Sequence, residues 1–138
     1  MIRKLEIEGL QKLIANNQEL ARDLARESRK VIIDEADKMV VGMKQKAPAK
    51  TGALRNALQK RIWKDKEGIT GAVVGIKDQP SFRKGKYYYP ASQEYGWTVG
   101  RTHYPGQPYM RPTFDERKSI VKARLRNIVK SIVDRVRP

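Results

Sequence analysis

The chain contains no cysteine and a single histidine, His103. Disulfide frames, thiolate nucleophiles, Cys/His dyads and histidine-rich metal sites are therefore excluded. Lack of cysteine also fits folding in a reducing cytosol. No apolar run reaches the ~18 residues of a membrane span, so no membrane partner is expected. The opening Met1-Ile2-Arg3-Lys4-Leu5-Glu6 does not read as a signal peptide. Neither a G-x-x-x-x-G-K-[ST] phosphate loop nor a G-x-S-x-G nucleophile elbow occurs. Without these devices the chain reads as a non-enzyme with no cofactor. Its 138 residues make one domain with a single core.

Positive charge is plentiful: 30 Lys+Arg stand against 15 Asp+Glu, a formal net charge of +15. Residues 1–46 carry 10 basic and 8 acidic side chains, residues 47–100 carry 10 and 4, and residues 101–138 carry 10 and 3. The surplus therefore belongs to the middle and the C-terminal part. Such a field attracts polyanions or acidic protein surfaces and says little about fold.

One stretch, "VIIDEADKMV" at 31–40, resembles the metal-holding strand of a nucleotide-driven motor. The period around it is helical instead: Leu20, Ala21, Leu24, Ser28, Val31, Ile32, Glu35, Met39, Val40 and Met43 fall on one side. Charge pairs one turn apart (Asp23/Arg26, Glu27/Lys30, Asp34/Lys38, Glu35/Lys38) support the helix. Without a phosphate loop the acids at 34–37 have nothing to serve, and the motif is a coincidence on a helix.

Periodicity predicts a lead-in over 2–7, a short helix from Leu10 to a break at Asn16-Asn17, and a long helix over about 17–46. Ala47-Pro48 ends it. Thr51 is placed to cap a short helix carrying Leu54, Ala57 and Leu58. A hairpin over about 59–76 follows, and Gly71 and Gly75 on one face predict close approach of a backbone or helix. Residues 77–89 read as a mobile basic loop and 90–112 as irregular. Thr113-x-x-Glu116 has capping-box form, and a stripe of Val121, Leu125, Ile128, Val129, Ile132 and Val133 predicts a helix over about 114–136 with a basic outer face.

Tyr87-Tyr88-Tyr89 beside Arg83, Lys84 and Lys86 admits two readings. One is a stacking-plus-phosphate surface for nucleic acid. The other has the tyrosines alternating between core and rim while the cations stay solvated. His103, in His-Tyr-Pro-Gly, reads as a turn residue. Glu94 is placed to accept backbone N–H bonds, to pair with Arg111, or simply to be solvated, and Arg111 is a candidate for a bidentate anchor.

Three stretches taken together are more specific: "APAKTGALRNAL" (47–58), "YPASQEYGW" (89–97) and "QPYMRPTFDE" (107–116). In order and spacing they resemble the head–tail joining (tail-completion, or neck) proteins of long-tailed bacteriophages. The matching positions are Ala47, Pro48, Thr51, Gly52 and Leu54; Tyr89, Glu94, Tyr95 and Gly96; and Pro108, Tyr109, Met110, Arg111 and Pro112. Pro90, Trp97 and Thr113 stand where the family usually has Ala, Thr and Ala. The elements together read as an α+β domain, a long N-terminal helix and a C-terminal helix packed on a small antiparallel β-sheet. The resemblance implies a structural virion role at the neck after assembly in the host cytoplasm. There the family forms a ring, often of six subunits, around the DNA channel, between portal-side connector and tail-tube proteins. The alternative from a different class is a free-standing basic nucleic-acid-binding protein.

Overall fold

A computed structural model of the protein describes residues 10–49, 52–66 and 68–136. In chain order they form α1 (Leu10–Lys46), α2 (Ala53–Ala57), β1 (Leu58–Lys64), β2 (Thr70–Ile76), a 3-10 turn (Pro80–Phe82), β3 (Arg83–Lys84), β4 (Tyr87–Tyr88), α3 (Tyr89–Tyr95), β5 (Trp97–Val99), β6 (Thr102–Tyr104) and α4 (Met110–Val136). The class is α+β. The strands divide into three separate antiparallel pairs, β1–β2, β3–β4 and β5–β6. Helix α1 packs against both α4 and the β1–β2 hairpin.

No break interrupts α1 at Asn16-Asn17; the helix runs unbroken for 37 residues. Both asparagines are exposed. Asn in a helix costs well under about 1 kcal/mol relative to Ala, too little to stop a helix without Gly or Pro beside it. The predicted stop is where it should be. Ala47 N–H donates the last helical bond to Met43 O (2.8 Å), and Pro48 forbids continuation. The lead-in over 2–7 lies outside the described residues.

Strand β1 pairs with β2 from Leu58↔Ile76 to Lys64↔Thr70. Asp65 closes the loop: its carboxylate accepts from Ile69 N–H (2.7 Å) and its own N–H donates to Ile69 O (3.0 Å). The expected close approach exists at Gly71 alone, and a ring makes it. A Cβ on Gly71 would fall 2.1 Å from the Trp63 indole across the hairpin, whereas Gly75 has nothing within 4 Å.

Three expectations need correcting. Residues 77–89, expected as a loop, carry short elements: the 3-10 turn buries Phe82 against Tyr89 (ring centroids 6.1 Å apart), and β3 and β4 pair Arg83↔Tyr88 and Lys84↔Tyr87. Phe82 supplies the apolar anchor that a purely polar loop would lack. Residues 90–112, expected as irregular, hold most of α3 with β5 and β6. Helix α4 starts at Met110 rather than 114. Thr113 therefore sits inside its first turn, with its hydroxyl bonded back to Tyr109 O (3.0 Å) instead of capping.

Met43, Ala47, Leu54, Leu58 and Tyr109 form the buried core, with Met39, Val74, Ile76, Tyr89 and Met110 packed around it. Leu54 and Leu58 are almost wholly buried, worth about 2 kcal/mol each. The core lies at the end of the molecule where α1 stops and α4 begins. Gly42 lets the two helices cross closely there, since a Cβ would stand 2.9 Å from Thr113 Cγ2.

Candidate functional site

The three separated stretches converge on one junction. After Pro48, Gly52 stands at the entry to α2 with φ 73°, a left-handed conformation that suits glycine. Asn56 N–H donates to Gly52 O (2.9 Å), and Arg55 Nε donates to Ala47 O (3.1 Å), tying the new helix to the end of α1. Leu54 then points into the core. Thr51, the expected cap, lies outside the described residues.

From the third stretch, Gln107 reaches the second stretch and the end of α1 just before the first, while Tyr109 packs against Ala47, Leu54 and Leu58 of the first. The Gln107 side-chain amide donates to Lys46 O (3.2 Å), an open carbonyl at the end of α1, and its backbone N–H donates to Gln93 O (2.7 Å). Tyr109 is completely buried, with its hydroxyl donating to Pro90 O (3.0 Å). Burial pushes the Tyr109 phenol well above its usual range, and the nearby Glu94 charge adds to the shift. Pro90, unusual for the family pattern, is buried in the first turn of α3, where a missing N–H costs no helical bond.

Glu94 is the centre of the junction. It is 6% exposed, and its carboxylate accepts from the backbone N–H groups of Tyr109 (2.8 Å), Met110 (2.9 Å) and Arg111 (2.9 Å). The next residue, Pro112, has no N–H to offer. One side chain from α3 thus satisfies all the free donors at the start of α4, and its charge faces the positive end of that helix. Burial pushes the Glu94 carboxyl up, but the three N–H donors outweigh it and hold the pKa below the ordinary carboxylate value.

Of the readings open for Glu94, backbone acceptance is the observed one. Arg111 bonds it through its main chain, while its guanidinium rests over the Tyr95 ring, 5.2 Å from the centroid, rather than forming a bidentate pair. Gly96 follows with φ 84°. A Cβ there would strike Tyr104 O at 2.5 Å and Gly106 N at 2.8 Å, so backbone occupies the space a side chain needs. Trp97, also unusual for the pattern, stacks on Tyr104 across β5–β6 (5.4 Å). Tyr89 packs against the core, whereas Tyr95 and Pro108 face outward.

Sequence reasoning missed a second carboxylate. Glu35 is 2% exposed and receives Arg117 through two bonds (Nε 2.8 Å, Nη2 2.7 Å) and Arg124 through a third (2.6 Å). Asp34 also takes Arg124 (2.5 Å) and, as expected, Lys38 (2.9 Å), while Asp37 pairs with Lys60 of β1. The acids at 34–37 are a structural fastener between α1, α4 and the hairpin. Burial raises the Glu35 carboxyl; Arg124 and Arg117 together pull it below its usual value.

The basic cluster at 83–86 belongs to the β3–β4 hairpin. Arg83 is engaged with Asp78 (2.7 Å) and lies over the Tyr88 ring (4.9 Å), while Lys84 and Lys86 are exposed. Tyr87 is exposed, Tyr88 half-buried and Tyr89 core-facing, so the tyrosines grade from rim to core. His103 lies on β6, its Nδ1 3.1 Å from the Thr98 hydroxyl. No three His, Cys, Asp or Glu side chains group to hold a metal among the described residues.

Between α1, β2, α3 and α4 lies an open apolar groove of about 920 Å³, with Met39, Ala72, Tyr95, Phe114, Val121 and Leu125 among its walls. No family model, curated protein or solved structure matches the chain.

Proposed function

We propose that the protein is a structural component of a long-tailed bacteriophage. It completes the tail and joins it to the head connector, as a ring around the DNA channel. One observation carries this reading. The three stretches that resemble the head–tail joining family, at 47–58, 89–97 and 107–116, meet at a single junction: Tyr109 packs on Ala47, Leu54 and Leu58 and is bonded to Glu94 and Pro90. A chance likeness of three short motifs has no reason to bring their distinctive residues into contact. Gly96 and Glu94 each have a physical requirement there that other residue types do not meet.

The chemistry is that of a scaffold. Backbone donors, guanidinium pairs and close glycine contacts fix the relative placement of α1, the β1–β2 hairpin and α4, leaving outward surfaces to neighbours. Tyr95 is 66% exposed and Phe114 49%, and both line the groove. Such exposed aromatic area is typical of surfaces that become covered on assembly.

Deleting the coding sequence from the phage genome that carries it, then examining the lysate by electron microscopy, tests the proposal. The expected result is DNA-filled heads beside separate, finished tails. Normally joined particles would overturn it. The alternative, a free-standing nucleic-acid-binding protein, rests on the exposed cations of α4. It would be favoured by a footprint on free DNA whose strength falls steeply with salt.

A further inference from the structure

Helix α4 uses one side against α1 and leaves the other uncovered. Two parallel rows of side chains, each spaced four residues apart, run from the edge of the α1 contact outward. One is apolar: Val121, Leu125, Val129 and Val133. Its first half lines the groove, and its second half borders Leu20, Ala21 and Leu24 of α1 while remaining partly exposed, Val129 45% and Val133 41%. The neighbouring row, three residues earlier at each step, is basic: Lys118, Lys122, Arg126 and Lys130, all exposed. No salt bridge among the described residues engages any of the four, in contrast to Arg117 and Arg124 on the α1 side of the same helix.

We propose that this double row, continuous with the groove, is a docking track for an amphipathic helix of a partner protein whose apolar stripe is bordered by Asp and Glu. The geometry is that of ridge-into-groove helix packing. An incoming helix sets its own apolar ridge beside Val121, Leu125, Val129 and Val133, and the acids at its edge face the basic row.

Charge decides between occupants. A second copy brings the same +15, and in its matching acidic row of Glu19, Asp23 and Glu27, Asp23 is already drawn onto Arg26 (2.8 Å) and Glu27 onto Lys30 (3.2 Å). Duplex DNA satisfies the cations, but its phosphates gain nothing from the exposed Val129 and Val133 or from an apolar groove. An acidic amphipathic helix satisfies both rows at once. This surface is argued from α4 alone and does not rest on the neck reading.

Fluorescence anisotropy on the full chain tests it. The probe is a labelled synthetic helix of about 18 residues, with leucines along one stripe and glutamates at its edge. Controls are the same helix with lysines in place of glutamates and a short DNA duplex, all at about 0.15 M salt. We expect saturable binding of the acidic helix only. Lys122→Glu with Arg126→Glu should weaken it about tenfold and transfer binding to the lysine helix. Val129→Ser with Val133→Ser should weaken it by a similar factor. These positions are exposed, so the fold tolerates them.

Binding of the acidic helix that ignores both pairs of substitutions would overturn the proposal. So would DNA binding lost on charge reversal and untouched by the serine pair, or self-association by sedimentation abolished by that pair. Because no virion is involved, failure here leaves the joining experiment's outcome independent, and the converse holds.

Discussion

Two buried carboxylates hold α4, and they do so by different means. At its start, Glu94 is gripped by three backbone N–H groups. About two and four turns further on, Glu35 of α1 is gripped by the side chains of Arg117 and Arg124. Backbone donors are fixed by the helix and cannot turn to water without unwinding it. The guanidinium groups are partly solvated already, with side chains 24% and 35% exposed, and can swing outward if their partner is lost. The first region should therefore be the less forgiving.

Four outcomes break or sharpen that comparison. The largest effect belongs to Glu94→Ala, which strands the opening N–H groups of α4 and removes a favourable charge at its positive end. We expect a loss of about 3 kcal/mol in urea unfolding. Next is Glu35→Ala, at about 2 kcal/mol, because the freed arginines rehydrate and Arg124 keeps Asp34. If Glu35→Ala proves the costlier of the two, the distinction between backbone and side-chain grips fails.

The third outcome is a pH dependence. Both carboxyls have folded pKa values below the ordinary 4.5, so each contributes stability that is complete above that pH. The contribution is lost as pH falls through the lower, folded value. Thermal melts below about pH 4.5 should show falling stability in the wild type and a flatter profile in Glu94→Gln. An unchanged slope in that variant would contradict the assigned cap. The smallest effect is Asp34→Asn, whose half-exposed carboxylate shares its partners with Glu35. Its shift in melting temperature should be the least of the series and shrink further with added salt.

How much of this was legible depends on how far apart the interacting residues lie. The long helix, its stop at Ala47-Pro48 and the existence of the hairpin follow from local period and turn chemistry, and they were readable. The start of α4 was not, because its cap comes from Glu94, 15 residues before Tyr109, whereas a capping box looks only three residues away. Glu35 did carry a signal. It fell on the apolar stripe with Val31, Met39 and Met43, and a charge on a buried face needs a partner. Its main partner was 82 residues distant in Arg117, so the nearer Lys38 seemed sufficient. For Phe82, a lone aromatic among polar neighbours gave no periodicity to read.

The placement of the core has a mechanical corollary. Going from the junction along α1 and α4, past the Glu35 fastener, the buried apolar side chains among the described residues dwindle to Val31 and Ile132. The protein is thus a stiff head bearing a compliant two-helix arm. Amide hydrogens in α4 should exchange progressively faster beyond Arg124, and a load applied at the arm's tip should bend it before it disturbs the head.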